Sequence, residues 1–168
     1  MNEASEIDDE YDEDRELGPS LALPPLYVLS SAVYCPECGQ AQHVYTLGCA
    51  AFHDAEESRP VDQFHFLNRI ESIPQPILAL LKAKVPSYYP DRTEEREPLY
   101  LMNHCRCGAK LDDDFVSGDV GAAFWPDTPE GFGDLRLLRL PVEGPIPIRC
   151  SSAIGGGEYL DFTKTWAW

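Results

Sequence analysis

The chain has 168 residues, 43% hydrophobic and 25% charged, with 29 acidic against 13 basic side chains and a formal net charge of −16. That is enough chain to bury a core without disulfide staples. No apolar run approaches the ~20 residues of a membrane-spanning helix, and the acidic start lacks the basic-then-apolar order of a secretion signal. So few Lys and Arg argue against direct contact with nucleic acid, where affinity comes from neutralising phosphates, and the expectation is a cytoplasmic protein that neither binds nucleic acid directly nor enters a membrane.

Residues 1–16 hold nine carboxylates and a single arginine, so half of the net charge sits on this short segment. It has too little apolar surface to offset the entropy of ordering it. With the Pro-broken stretch 17–25 it reads as an acidic tail and connector over 1–25, followed by a folded domain over 26–168. Strands are predicted over 26–34 and 41–47, flanking a turn at 35–39, and over 63–67, where Phe64 and Phe66 alternate with polar neighbours. The helix signal is 76–84: Pro76 near its start, Leu78, Leu80 and Leu81 for an apolar face, and Pro86 to stop it. A charged loop over 91–97 precedes a strand over 98–104. Then come an acidic turn at Asp112–Asp114, a Gly- and Pro-rich stretch over 118–133, short strands over 135–140 and 146–149, and a glycine turn at 155–157. The fold class expected from this order is α+β: a single, strand-dominated domain with one clear helix.

Six cysteines stand at 35, 38, 49, 105, 107 and 150. Close pairs in a chain without a secretion signal read as metal ligands rather than disulfides. In Cys35-Pro36-Glu37-Cys38-Gly39, two intervening residues let both sulfurs face one ion, and Gly39 tolerates the positive φ such a turn needs. The second cluster, His104-Cys105-Arg106-Cys107-Gly108, has only one residue between its cysteines. Two ligand sets fit a tetrahedral zinc ion. Aligning the Cys-Gly pairs gives Cys35, Cys38, His104 and Cys107. Keeping thiolates throughout gives Cys35, Cys38, Cys105 and Cys107, preferred because thiolate is the commoner ligand in structural sites. Either set fills all four positions and predicts one structural zinc ion.

The stretches YCPECG (34–39) and YLMNHCRCGAK (100–110) resemble the two knuckles of a split zinc ribbon. They are similar to a group of small bacterial proteins in which a tyrosine-rich strand leads into an Asn-x-Cys-x-x-Cys-Gly-Ala turn, with a short Pro-started helix between the knuckles. The resemblance spans about 33–125 and departs at Cys105–Cys107, one residue short. It implies a zinc fold and no particular reaction.

Other reactive residues have plainer explanations. Cys49 and Cys150 lie in or beside apolar runs and are expected in the core, and His43, His53 and His65 are scattered. Zinc deaminases need His-x-Glu before Pro-Cys-x-x-Cys, and here Tyr34 precedes Cys35 with no such motif upstream. Gly155–Gly157 lacks the Lys and helix of a phosphate loop, and Asp112–Asp114 lacks calcium-loop spacing. The aromatic residues of the C-terminal half, Trp125 among them, are expected mostly in the core, with Trp166 and Trp168 docking the end of the chain. Charge and motif together point to a non-enzymatic interaction protein whose acidic surface captures a basic partner, such as an immunity protein or antitoxin covering a nuclease-like toxin. The alternatives are a zinc-ribbon adaptor in a nucleic-acid-processing complex, using Arg92, Arg96, Arg106 and Lys110, and a hydrolytic enzyme.

Overall fold

In the structure, a computed structural model that describes residues 19–165, β1 (Ser20–Tyr34) and β2 (Ala41–His53) form a long antiparallel hairpin with the first cysteine turn at its tip. β1 starts ahead of the expected position 26 because Pro24 and Pro25 do not end it. They fall where the register against β2 shifts, between Leu23 and Leu26, so the ladder loses their missing N–H groups at an irregularity rather than in mid-strand. Ahead of that shift, Ser20–Ala22 pairs with β8 (Ile146–Ile154), while Tyr27–Ser30 pairs with β7 (Arg136–Arg139). β8 pairs in turn with β3 (His65–Ser72), and β3 with β2. β1, β2, β3 and β8 thereby close a small four-stranded barrel, with β7 attached to β1.

A separate three-stranded sheet holds β4 (Tyr88–Asp91), β5 (Tyr100–His104) and β6 (Lys110–Leu111) in the order β4-β5-β6. α1 (Gln75–Lys84) joins β3 to β4. Pro74 is its N-cap, Pro76 lies in its first turn, and it ends at Val85 ahead of Pro86. Its buried residues are Ile77 and Leu81, one turn apart, with Leu78 and Leu80 only half-buried. The buried stripe is therefore rotated from the one expected at 78, 80 and 81. α2 (Asp113–Ser117) and α3 (Pro129–Gly133) are short and fall in stretches expected to be irregular. Each is started by a side-chain cap: Asp112 accepts from the Phe115 N–H and Thr128 from the Gly131 N–H.

The α+β expectation is corrected. Of the described residues 44% are strand and 16% helical, and of the three helices among them only α1 reaches seven residues. Helices supply no layer of their own. One apolar cluster joins Leu26, Val28, Leu47, Cys49, Leu67 and Ile148 of the barrel to Ile77 and Leu81 of α1 and to Leu101 of β5. A second gathers Leu29, Val44, Phe66, Phe124, Phe132 and Leu137 with Cys35, Cys105 and Leu111. The strands are thus covered on both faces, which is why β1 and β2 read as nearly continuous apolar runs.

Among the described residues no helix is long and apolar enough to cross a membrane. The acidic segment 1–16 and the two terminal tryptophans lie outside the described residues. Of the other aromatic residues expected in the core, Phe124 and Phe132 are buried, whereas Trp125 is 48% exposed and Phe115 and Phe162 are also exposed.

Candidate metal centre

The two cysteine turns lie at the ends of hairpins from different sheets, and the fold brings them together. The Sγ atoms of Cys35, Cys38, Cys105 and Cys107 all lie within 4.8 Å of one another. Across the two turns, Cys35 Sγ is 3.8 Å from Cys107 Sγ and Cys38 Sγ is 3.6 Å from Cys105 Sγ. Metal–sulfur bonds of about 2.3 Å in a tetrahedron require sulfur–sulfur edges of about 3.8 Å, whereas a disulfide requires about 2.05 Å. The cluster could hold one metal ion among its four sulfurs and is too widely spaced for a disulfide.

Backbone hydrogen bonds show how a turn one residue short still fits. In the first, the Cys35 N–H donates to the Gln40 carbonyl and the Gly39 N–H to the Cys35 carbonyl. In the second, the Cys105 N–H donates to the Ala109 carbonyl and the Gly108 N–H to the Cys105 carbonyl. The contracted loop keeps the same closure, and both glycines take the left-handed conformation, φ 72° for Gly39 and 92° for Gly108. Cys105 therefore corresponds to Cys35: each follows the last residue of a strand and is buried, while Cys38 and Cys107 are exposed. His104 corresponds to Tyr34, and it is not in the cluster. Its Nε2 lies 2.8 Å from Asp91 Oδ2, its Nδ1 lies 3.2 Å from the Ser87 carbonyl, and its ring stacks on Tyr89 with centroids 3.7 Å apart. The structure brings together the all-thiolate set and gives the histidine another role.

That role is to brace the second turn. Asp91 of β4 takes His104 on one carboxylate oxygen and Lys110, together with the Arg92 N–H, on the other. Burial works against its charge, but the hydrogen bonds from His104, Arg92 and Lys110 prevail and hold its carboxyl at about 2. The strands on either side of Cys105–Cys107 are thereby tied to β4. Asn103 anchors the same hairpin to the barrel. Its side chain is wholly buried; Oδ1 accepts from the Tyr45 N–H at 2.7 Å and Nδ2 donates to the Tyr45 carbonyl at 2.8 Å. A side-chain amide thus stands in for a backbone partner on β2. Asn103 is conspicuous in the sequence only as part of the turn motif, and nothing local foretells its partner 58 residues away.

The sulfurs titrate unequally. The N–H groups of Cys38 and Glu37 favour the Cys35 thiolate; against the opposing effect of burial, they draw it down to about 7. At Cys107 the Ala109 N–H also favours the thiolate, but desolvation within the cluster and the three neighbouring sulfurs outweigh it and push the group up to about 12. Holding all four as thiolates side by side would require a cation among them, and the cluster could hold a metal ion in that place.

The remaining candidates are spread through the molecule. Cys49 lies in the barrel core with Cys150 packed against it, and burial pushes both thiols up to about 12. His65 is buried, its Nδ1 2.7 Å from the Gln63 carbonyl, and His53 Nε2 is 2.9 Å from the Glu57 carbonyl. The acidic run at 112–114 is not simply a solvated turn. Asp112 caps α2, and Asp113 accepts from the Arg69 N–H at 2.5 Å. Burial raises the Asp113 carboxyl to about 6, against the pull of Arg69.

No protein-family model, no curated protein and no solved structure matches this chain, so its functional reading rests on the four-sulfur site and on the surface around it.

Proposed function

We propose that this chain is a non-enzymatic interaction protein: a β scaffold fastened by one structural zinc ion, whose acidic surface receives a basic protein. The observation that supports it most directly is the closed donor set. Four protein sulfurs at tetrahedral spacing leave no coordination position for a substrate or an activated water. Soft thiolates in that geometry suit zinc. The Cys49 and Cys150 thiols, pushed up to about 12, are poorly suited to serve as nucleophiles. The excess of carboxylates gives a field that speeds encounter with a cationic partner. A concrete form of this reading is a cytoplasmic bacterial immunity protein or antitoxin that covers the cationic active site of a nuclease-like toxin.

The adaptor reading needs a free basic face. Lys110 is held by Asp91 and the Arg92 carbonyl, and the Arg92 guanidinium donates to the carbonyls of Glu95 and Glu97. Two of its four cations are therefore engaged within their own neighbourhood, and the acidic reading is preferred.

Elemental analysis of the purified chain should return one zinc per molecule. A partner captured at low salt should associate at a rate that falls at least about ten-fold between 20 and 150 mM salt. Deleting residues 1–16 should slow association while leaving zinc content and dissociation rate unchanged. An association rate indifferent to salt overturns the acidic-surface reading, and an unfolding midpoint that does not fall when the metal is removed overturns the structural-zinc reading.

A further inference from the structure

Between Lys110 and Arg136 the chain has seven carboxylates and no lysine or arginine. This segment also builds a cavity. The Phe124 N–H donates to the Val116 carbonyl and the Gly121 N–H to the Trp125 carbonyl, so the loop after α2 folds back on the helix. Phe124 is driven inward and Trp125 is left half exposed. With Phe66 and Asn68 of β3, Ser117 of α2 and Ile154 of β8, these two rings enclose a cavity of about 310 Å³, near the lower bound of small-ligand sites and roomy enough for one long side chain.

Its polar groups are unused. Ser117 Oγ is buried with no hydrogen-bond partner, and the Asn68 side chain has none among the described residues. Buried polar atoms without partners are rare in native proteins, and one lining an aromatic cavity marks a place for a bound group. The adjacent cation, Arg69, is engaged elsewhere: its guanidinium lies over the Tyr100 ring, 5.1 Å from the centroid.

We infer that this cavity receives an arginine side chain of the basic partner. The inference rests on the proposed acidic-surface function and names the group that anchors it. A guanidinium is planar, stacks on aromatic faces and carries five donors with no acceptor. The Trp125, Phe124 and Phe66 rings offer the faces, the Asn68 carbonyl oxygen and Ser117 hydroxyl offer acceptors, and the uniformly acidic segment favours a cation. Lysine lacks the plane and the fork of donors, and citrulline has the plane without the charge. Trp and Arg are also the residues that most often anchor an interface.

The test is an NMR titration of the full-length, zinc-loaded protein, at low salt, with three capped pentapeptides that differ only in a central arginine, lysine or citrulline. The arginine peptide should shift the amide signals of Asn68, Ser117 and Gly155 and bind at least five-fold more tightly than the other two. Trp125→Ala, a change at a half-exposed position, should abolish that preference while keeping zinc and the unfolding midpoint, and Trp125→Phe should restore part of it. Equal binding of the three peptides, or undiminished arginine binding by Trp125→Ala, overturns the inference. If the arginine peptide leaves these signals unmoved while salt-dependent association with the captured partner persists, the arginine site falls and the acidic-surface reading stands. If both are absent, both fall.

Discussion

Among single residues, the fourth member of the candidate metal cluster is set by a one-residue difference in register. His104 is the last residue of β5 and Cys105 the first of the turn, so the histidine goes to Asp91 and the cysteine to the cluster. Cys105→Ser should therefore lose zinc in native mass spectrometry, whereas His104→Ala should retain it while losing the contacts to Asp91, Ser87 and Tyr89. Equal retention by both variants would reject the all-thiolate site. Asp113 gives a second residue-scale prediction. Its folded-state carboxyl titrates at about 6, above the ordinary value near 3.8. A raised carboxyl contributes stability that is present below pH 4 and is lost as pH rises through 6. Asp113→Asn still offers an oxygen to the Arg69 N–H but cannot ionise. Relative to wild type, it should gain on the order of 2 kcal/mol between pH 4 and 7, measured by denaturant unfolding. A difference independent of pH would mean that the group is not held in its neutral form.

At the scale of elements, two left-handed glycines should respond differently. Gly39 has φ 72°, and a methyl group added there would meet nothing within 4 Å, so Gly39→Ala should cost only the conformational penalty of about 1–2 kcal/mol. Gly156 has φ 78°, and a Cβ there would run into the edge of the Phe132 ring; Gly156→Ala therefore adds overpacking of about 1–3 kcal/mol. Thermal unfolding should rank Gly156→Ala as the more destabilised variant, and the reverse order would show that the Phe132 ring moves aside freely. The cysteine turns, the hairpin of β1 and β2, and α1 were legible from sequence because each depends on local chemistry: Cys-Gly spacing, apolar runs flanking a tight turn, and prolines at a helix start and stop. The early part of β1 was not. Pro24 and Pro25 argue locally against a strand, and only pairing with β8 on one side and β2 on the other carries the ladder through them.

For the whole molecule, the four-cysteine cluster joins two sheets. One turn closes a barrel hairpin and the other closes β5 and β6, while Asn103 pairs the second sheet to β2 beside the site. A chelator should therefore lower the unfolding midpoint by about 10 °C or more, corresponding to a few kcal/mol. Hydrogen exchange should rise first in β5 and β6, with Val28, Leu47 and Leu67 of the barrel following. Uniform loss of protection would place the metal under the entire fold rather than at this junction. The barrel explains why the α+β expectation failed. A single helix and several strands are visible locally, but ring closure is a property of long-range pairings between β1 and β8 and between β3 and β8.

The sequence by itself determined what covalent spacing and composition control: two Cys-Gly turns able to share one ion, one Pro-bounded helix, and an acidity divided equally between residues 1–16 and the rest of the chain. Tertiary structure alone decided which of two adjacent residues joins the cluster, that the strands close on themselves, and that two carboxylates of the 112–114 run are committed to Phe115 and Arg69. The reason is the same in each case. A turn's geometry is set by a handful of neighbouring residues, whereas a side chain's partner and a strand's neighbour depend on which distant segments are driven together when apolar surface leaves water.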